Sequence, residues 1–371
     1  MNIPLVDLVA QYHSIKDEID PAIQQILESA SFIGGKPVAD FERAFASYCG
    51  AKAAVGAASG TAALHLALME TGIQPGEEVI TVSQTFIATA EVVRMCGANV
   101  RMIDVDPRTY CMDPAGLRAV VNDRTRVIIP VHLYGHPADM NPILELASHR
   151  GITVIEDAAQ SHGATYHGRR VGGLAPLGTF SFYPGKNLGA YGDAGAVTTA
   201  DAGAADRIAR LANHGRAEKY EHLIEGYNYR LDALQAAVLS VKLRHLEQWN
   251  ARRREIAALY TRLLADVPEV TTPYVAPYAE HVFHLYVIQV PHRDAVAAAL
   301  REQGVMVQLH YPIPLHLQPA YAHLGIKRGS LPATERIAER CISMPAYPEM
   351  TDAQTRSVVD CLKQALVRVP S

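Results

Sequence analysis

Between about residues 50 and 200 the chain alternates short, continuous apolar runs with amphipathic ones, and this alternation constrains the fold more than any other feature. Glu78-Val79-Ile80-Thr81-Val82 reads as a strand and 87–95 as the helix that follows. Strands are expected again at 100–105, 126–131 and 152–155, with helices at 114–121 and 140–148 between them. Runs rich in β-branched residues and joined by helices are the mark of a mostly parallel sheet covered on both faces. Ligands of such sheets bind beyond the carboxyl ends of the strands, so the polar residues after each run are where chemistry is expected.

A second organising feature is an apolar-periodic segment from residue 232 to about 265 that contains neither proline nor glycine. A helix of that length often bridges two domains. Beyond it, Thr271-Thr272-Pro273 and Val275-Ala276-Pro277 mark loops. The remainder reads as a strand at 285–290, a helix at 294–302, a second strand at 305–309 and two later helices. The expected fold class is α/β. Residues 1–245 would form a large domain and 246–371 a smaller α+β domain.

Charge and cysteine usage exclude several functions. The net charge of -4 gives no reason to expect a nucleic-acid partner. The densest basic cluster, Arg252-Arg253-Arg254, is expected to be a solvated helix face. Five scattered cysteines without C-x-x-C spacing suggest reduced thiols in a cytoplasmic protein rather than a disulfide framework or zinc site. The first residues turn acidic too soon for a signal peptide, and no apolar stretch approaches the ~20 residues of a membrane span. His132 and His136 are four apart, but Gly135 and Pro137 make that stretch a loop with no acidic ligand at standard spacing. No metal site is expected.

Three motifs carry candidate chemistry. Ser59-Gly60-Thr61-Ala62 leads into an apolar helix, whose N-terminus offers backbone N–H groups to a phosphate; by itself it reads as an ordinary helix cap by Ser59 or Thr61. In Val154-Ile155-Glu156-Asp157-Ala158-Ala159-Gln160, Asp157 stands at the end of a buried strand. A carboxylate there needs a cation, either a protonated pyridine nitrogen or an arginine, unless it caps a helix. Phe180-Ser181-Phe182-Tyr183-Pro184-Gly185-Lys186-Asn187 sets a lysine on a constrained loop, 29 residues after Asp157. Alone, Lys186 reads as a surface residue.

Together, in this order and spacing, the motifs resemble the DegT/DnrJ/StrS family of sugar aminotransferases, which have the fold-type I architecture with a mostly parallel seven-stranded sheet in the large domain. The likeness runs from Ile3-Pro4-Leu5 to Met344-Pro345-Ala346. It implies pyridoxal 5'-phosphate held by Lys186 as a Schiff base, with pyridoxamine 5'-phosphate as the intermediate form. Asp157 matches the partner of the pyridine nitrogen, Gln160 the neighbour of the phenolic oxygen and Phe86 the aromatic that stacks on the ring. Gly60, Thr61 and Ser181 match phosphate contacts. Asn228 resembles an asparagine that reaches the cofactor phosphate of the neighbouring subunit, which implies a homodimer with shared active sites.

Some roles rest on the residues themselves. A lysine in a dry pocket or near a ring cation has a lowered pKa, as both Schiff-base formation and proton transfer require. Arg230 is a candidate clamp for the donor's carboxylate, or else a helix-terminal residue paired with Asp232. His310 and Tyr311 belong to an element that resembles one near the mouth of the site. The resemblance implies a reaction that moves an amino group from L-glutamate to a nucleotide-linked keto sugar in amino-sugar biosynthesis. A 3-keto sugar ranks ahead of a 4-keto sugar, because Gln160 rather than histidine is common among family enzymes acting on 3-keto sugars. The alternatives are a keto-sugar dehydratase, a branch in which histidine replaces the lysine, and a non-catalytic cofactor-binding sensor.

Overall fold

The structure, a computed structural model, describes residues 2–369. Its centre is a seven-stranded sheet of β1 (Ala53–Ala57), β2 (Glu78–Val82), β3 (Asn99–Ile103), β4 (Thr125–Ile129), β5 (Thr153–Asp157), β6 (Leu177–Ser181) and β7 (Gly195–Thr199). The spatial order is β1-β7-β6-β5-β4-β2-β3. Pairs from β3 through β6 are parallel, and β7 runs antiparallel to both its neighbours. All five residues of β2 and of β7 are buried, as expected for strands covered on both faces. The helices read from the sequence appear at Ala88–Met95, Pro114–Val120 and Met140–Arg150.

Helix Gly35–Cys49 backs the sheet behind β6 through a cluster of aromatic rings. Phe45 stacks on Phe41 at 5.6 Å and meets Phe180 and Phe182 edge-on at 4.8 and 5.1 Å. Offset and edge-to-face rings add stabilisation beyond the area they bury. Phe180 and Phe182 flank Ser181, so this cluster fixes the end of the strand from which the Lys186 loop departs.

Helix Ala233–Leu263 has 31 residues and spans about 46 Å at 1.5 Å per residue. It feeds two cores. Ala236, Leu239 and Leu246 pack with Phe41 and Phe45, whereas Ile256, Ala257 and Tyr260 pack with Tyr286, Ile288 and Leu362. Ile3 joins the second core, so the start of the chain packs against its end. The proposed division at residues 245 and 246 falls inside this helix.

Two expectations need correction. β8 (Tyr286–Gln289) pairs with β9 (Cys341–Met344), a strand not expected from the sequence, and the strand expected at 305–309 does not form. That segment makes only single bridges, Val305 to Ile3 and Gln308 to Ser343. The Val307 carbonyl instead accepts from the Arg301 guanidinium at 2.9 Å. The arginine cluster is also not a uniform solvated face. Successive helical residues point about 100° apart, so three cannot share one side. Arg252 pairs with Glu255 and Asp352, Arg254 pairs with Glu280, and Arg253 turns inward to 3 % exposure.

All five cysteines are free thiols. Among the described residues no helix is long and apolar enough to cross a membrane. Phe45→Ala removes the shared ring of the aromatic cluster and should cost about 3–5 kcal/mol of stability, seen as a lowered midpoint in denaturant unfolding followed by circular dichroism.

Candidate active site

The carboxyl ends of β1, β2, β5 and β6 lead into the residues with candidate chemistry. Ser59 caps helix Gly60–Glu70 by accepting from the Ala62 N–H at 3.1 Å. The N–H groups of Gly60 and Thr61 lie in the first turn, where no intrahelical acceptor exists. A Cβ on Gly60 would fall 2.5 Å from Cβ of Ser181, so only glycine allows the helix end to approach the end of β6. Such a cradle suits a phosphate, which the helix dipole also favours.

Asp157 ends β5 and is 4 % exposed. Its Oδ2 accepts from Thr89 Oγ1 at 2.8 Å, and Oδ1 accepts from the Ala159 N–H at 3.2 Å. Burial pushes its pKa up; the two hydrogen bonds and the charge of Lys186 pull it back. Its strand neighbour Glu156 points to the opposite face. There it accepts from the N–H groups of Gly172, Leu174 and Ala175 and meets His132 Nε2 at 3.0 Å. One carboxylate of the pair is therefore structural, and the other is left for chemistry.

Lys186 sits on a loop stapled at both flanks. Its own N–H donates to Tyr183 O at 2.8 Å, and Ala190 N–H returns to Phe182 O at 2.7 Å. Lys242, buried in the long helix, donates Nζ to Gly189 O at 2.8 Å. Asn187 Nδ2 donates to Asn250 Oδ1 at 2.8 Å and to Val282 O at 3.1 Å. Burial lowers the Lys186 ammonium to about 8, with the charge of Asp157 acting the other way. A sizeable fraction of its amine is thus neutral near physiological pH, the state in which it is a nucleophile.

Lys186, Gln160, His310 and Tyr311 line one cavity of about 710 Å³, with Tyr183 and His284 also in its wall. Gln160 accepts from the Tyr134 N–H at 2.8 Å and donates Nε2 to Tyr311 Oη at 3.0 Å. Phe86 is 54 % exposed, with its ring 6.0 Å from that of Tyr311. Asn228 and Arg230 do not line this cavity. Asn228 is exposed on a segment whose Tyr229 carbonyl accepts from Ala58 N–H, just before the helix cradle. Arg230 donates to Asn213 Oδ1 at 3.0 Å and makes no ion pair with Asp232 among the described residues.

Several contributors escaped the sequence reading. Thr89, in the first turn of a short helix, carries no motif beyond its hydroxyl. Lys242 and Asn250 did leave a signal, as polar residues on the apolar side of a long helix. His132 and His136 are both engaged in local packing: Ala138 N–H donates to His132 Nδ1 at 3.0 Å, and Ala276 N–H to His136 Nε2 at 3.0 Å.

A partly neutral lysine coupled to a buried carboxylate, with a helix end open to an anion, is what a pyridoxal-phosphate enzyme requires, and the sheet is that of fold type I. The chain belongs to the DegT/DnrJ/EryC1/StrS aminotransferase family, which it matches over residues 13–363. It is 46% identical to a pleiotropic regulatory protein of Geobacillus stearothermophilus over 97% of each chain. It is 44% identical, over 98% of each, to the UDP-N-acetyl-3-dehydro-alpha-D-glucosamine 3-aminotransferase of Acidithiobacillus ferrooxidans. Among solved structures it resembles S. venezuelae DesV in complex with a ketimine intermediate, with a TM-score of 0.97 and 42% identity over 100% of both chains. The protein is a pyridoxal-phosphate-dependent aminotransferase.

In cofactor-free protein, capture of pyridoxal phosphate should accelerate as pH rises from 7 to 9, with a midpoint near the lowered Lys186 pKa of about 8. The sign follows from the neutral amine being the nucleophile. Stopped-flow absorbance measures it, and Lys186→Ala should abolish the covalent step.

Proposed function

We propose that the enzyme transfers an amino group from L-glutamate to a keto sugar carried on a nucleotide, with a 3-keto sugar as the preferred acceptor. The observation that carries this reading is Lys186, its amine made partly neutral by burial, lining a cavity of about 710 Å³. That volume lies within the ~300–1,000 Å³ usual for small-molecule sites. Gln160 and the Acidithiobacillus relative, named as a 3-aminotransferase, support the 3-keto preference.

In this reading Lys186 Nζ anchors the cofactor, which supplies an electron sink when bound. Displaced by the donor, the same amine takes the proton from the donor carbon and later returns one to the acceptor carbon. Asp157 faces the ring nitrogen, with Thr89 and the Ala159 N–H holding the carboxylate in place. Its raised pKa falls back once a cation stands beside it. Gln160 attends the phenolic oxygen, Phe86 covers the ring, and Gly60, Thr61 and Ser181 seat the phosphate. His310 and Tyr311 border the acceptor. Asn228 extends to the phosphate site of a second copy, which gives a homodimer with shared active sites; its exposure in the single chain supports this.

A cofactor-binding regulator is the second reading, favoured by the name of the Geobacillus relative. Incubation with glutamate distinguishes the two. The aminotransferase converts to the pyridoxamine spectrum with stoichiometric 2-oxoglutarate release; a regulator holds the cofactor without either change. A panel of 3- and 4-keto nucleotide sugars offered to the pyridoxamine form tests the acceptor. Asp157→Asn should slow the glutamate half-reaction by about 100-fold or more, a loss on the scale of removing one preorganised electrostatic group. The Lys186 linkage should survive this substitution.

A further inference from the structure

The long helix contributes a group to the cavity for which the proposed reaction has no use. Arg253 lines the cavity at 3 % exposure; it donates to the Ala346 carbonyl, and its Nε has no partner. Among the described residues no carboxylate lines the cavity. Glu349, whose charge reaches Arg253, lies outside that lining and has its own Oε1 unpartnered.

The other basic walls are either exposed to solvent or, for the histidines, lowered toward the neutral form. Arg301 spends Nε and a terminal nitrogen on Val307 O at 3.2 and 2.9 Å. His310 Nδ1 meets Ser343 Oγ at 2.7 Å, and His284 Nδ1 meets Asn187 Oδ1 at 3.3 Å. Burial pulls both rings below their ordinary pKa, His310 to about 4. Arg253 is therefore a cation kept out of water and left short of hydrogen bonds, an arrangement that costs free energy until an anion completes it.

We propose that Arg253 binds a carboxylate of the amino donor. The assignment rests on the aminotransferase reading. A planar guanidinium matches a carboxylate edge to edge, and one buried arginine balances one such charge. A nucleotide diphosphate brings at least two charges and a nucleoside that needs an open rim. Arg230, the arginine favoured by sequence, donates to Asn213 and also leaves its Nε unpartnered, but it stands outside this chain's cavity, on the segment proposed to reach a second copy's site.

The test titrates glutarate, an unreactive dicarboxylate, into wild-type, Arg253→Lys and Arg253→Met holoenzyme by calorimetry, with UDP and dTDP titrated in parallel. Glutarate affinity should fall about 10-fold in the lysine variant and about 100-fold in the methionine variant, with diphosphate affinity unchanged. Arg253→Lys keeps a donor for the Ala346 carbonyl and decides the matter if the methionine variant fails to fold. Glutarate binding that is equal in all folded proteins, or a loss confined to UDP and dTDP, overturns the proposal. Kinetics add a second readout: the KM for glutamate should rise in Arg253→Lys while that for the sugar holds. If wild-type enzyme releases no 2-oxoglutarate, the proposed reaction fails, yet the glutarate titration still judges the carboxylate subsite.

Discussion

Desolvation of Lys186 and Asp157 at the carboxyl rim of the sheet is the condition on which the site depends. Removing water disfavours the charged form of each, raising the carboxylate and lowering the ammonium, while their mutual attraction pulls in the opposite sense. The balance leaves an amine that can be neutral near physiological pH beside a buried carboxylate whose pKa is raised by burial and drawn down by nearby positive charge. In water the same two groups would be fully charged and chemically ordinary. The strands, the aromatic cluster behind β6 and the loop staples all serve to hold this pair dry and fixed.

The long helix is the main mechanical partner of that condition. Three successive positions along it act on the Lys186 region by different means. Lys242 ties down Gly189, Asn250 ties down Asn187, and Arg253 enters the cavity wall. The spacings of eight and three residues keep all three on the same side of a helix that turns every 3.6 residues. A rigid rod carrying three polar grips costs burial of two cations, and burial lowers the pKa of each, to about 8 for Lys242 and about 10 for Arg253. Such grips are retained where position matters more than stability.

Much of this was legible beforehand. The parallel strands and their helices stood out because burial on both faces leaves continuous apolar runs. Asp157 stood out because a carboxylate at the end of such a run needs a reason. Glu156 is the instructive contrast: its side chain, one residue away, faces the other side and is consumed by three backbone N–H groups and His132. The arginine triplet was misread because charge composition says nothing about which of three adjacent residues turns inward. The 305–309 strand was misread because its alternation of buried and exposed residues is genuine, but the segment turns from one bridge to Ile3 to one bridge to Ser343 and extends neither into a ladder.

The sequence by itself determined four parallel strands of the sheet, the long helix and the candidate residues of the site, because periodicity and turn chemistry act over a few residues and leave local traces. Only the tertiary structure decided which polar groups meet. Thr89 on Asp157, Lys242 on Gly189, Asn250 on Asn187 and Arg253 in the cavity join segments separated by 53 to 68 residues, or by the width of the cavity wall. Such pairings arise from the packing of whole elements around a shared core. No local pattern in the chain records them.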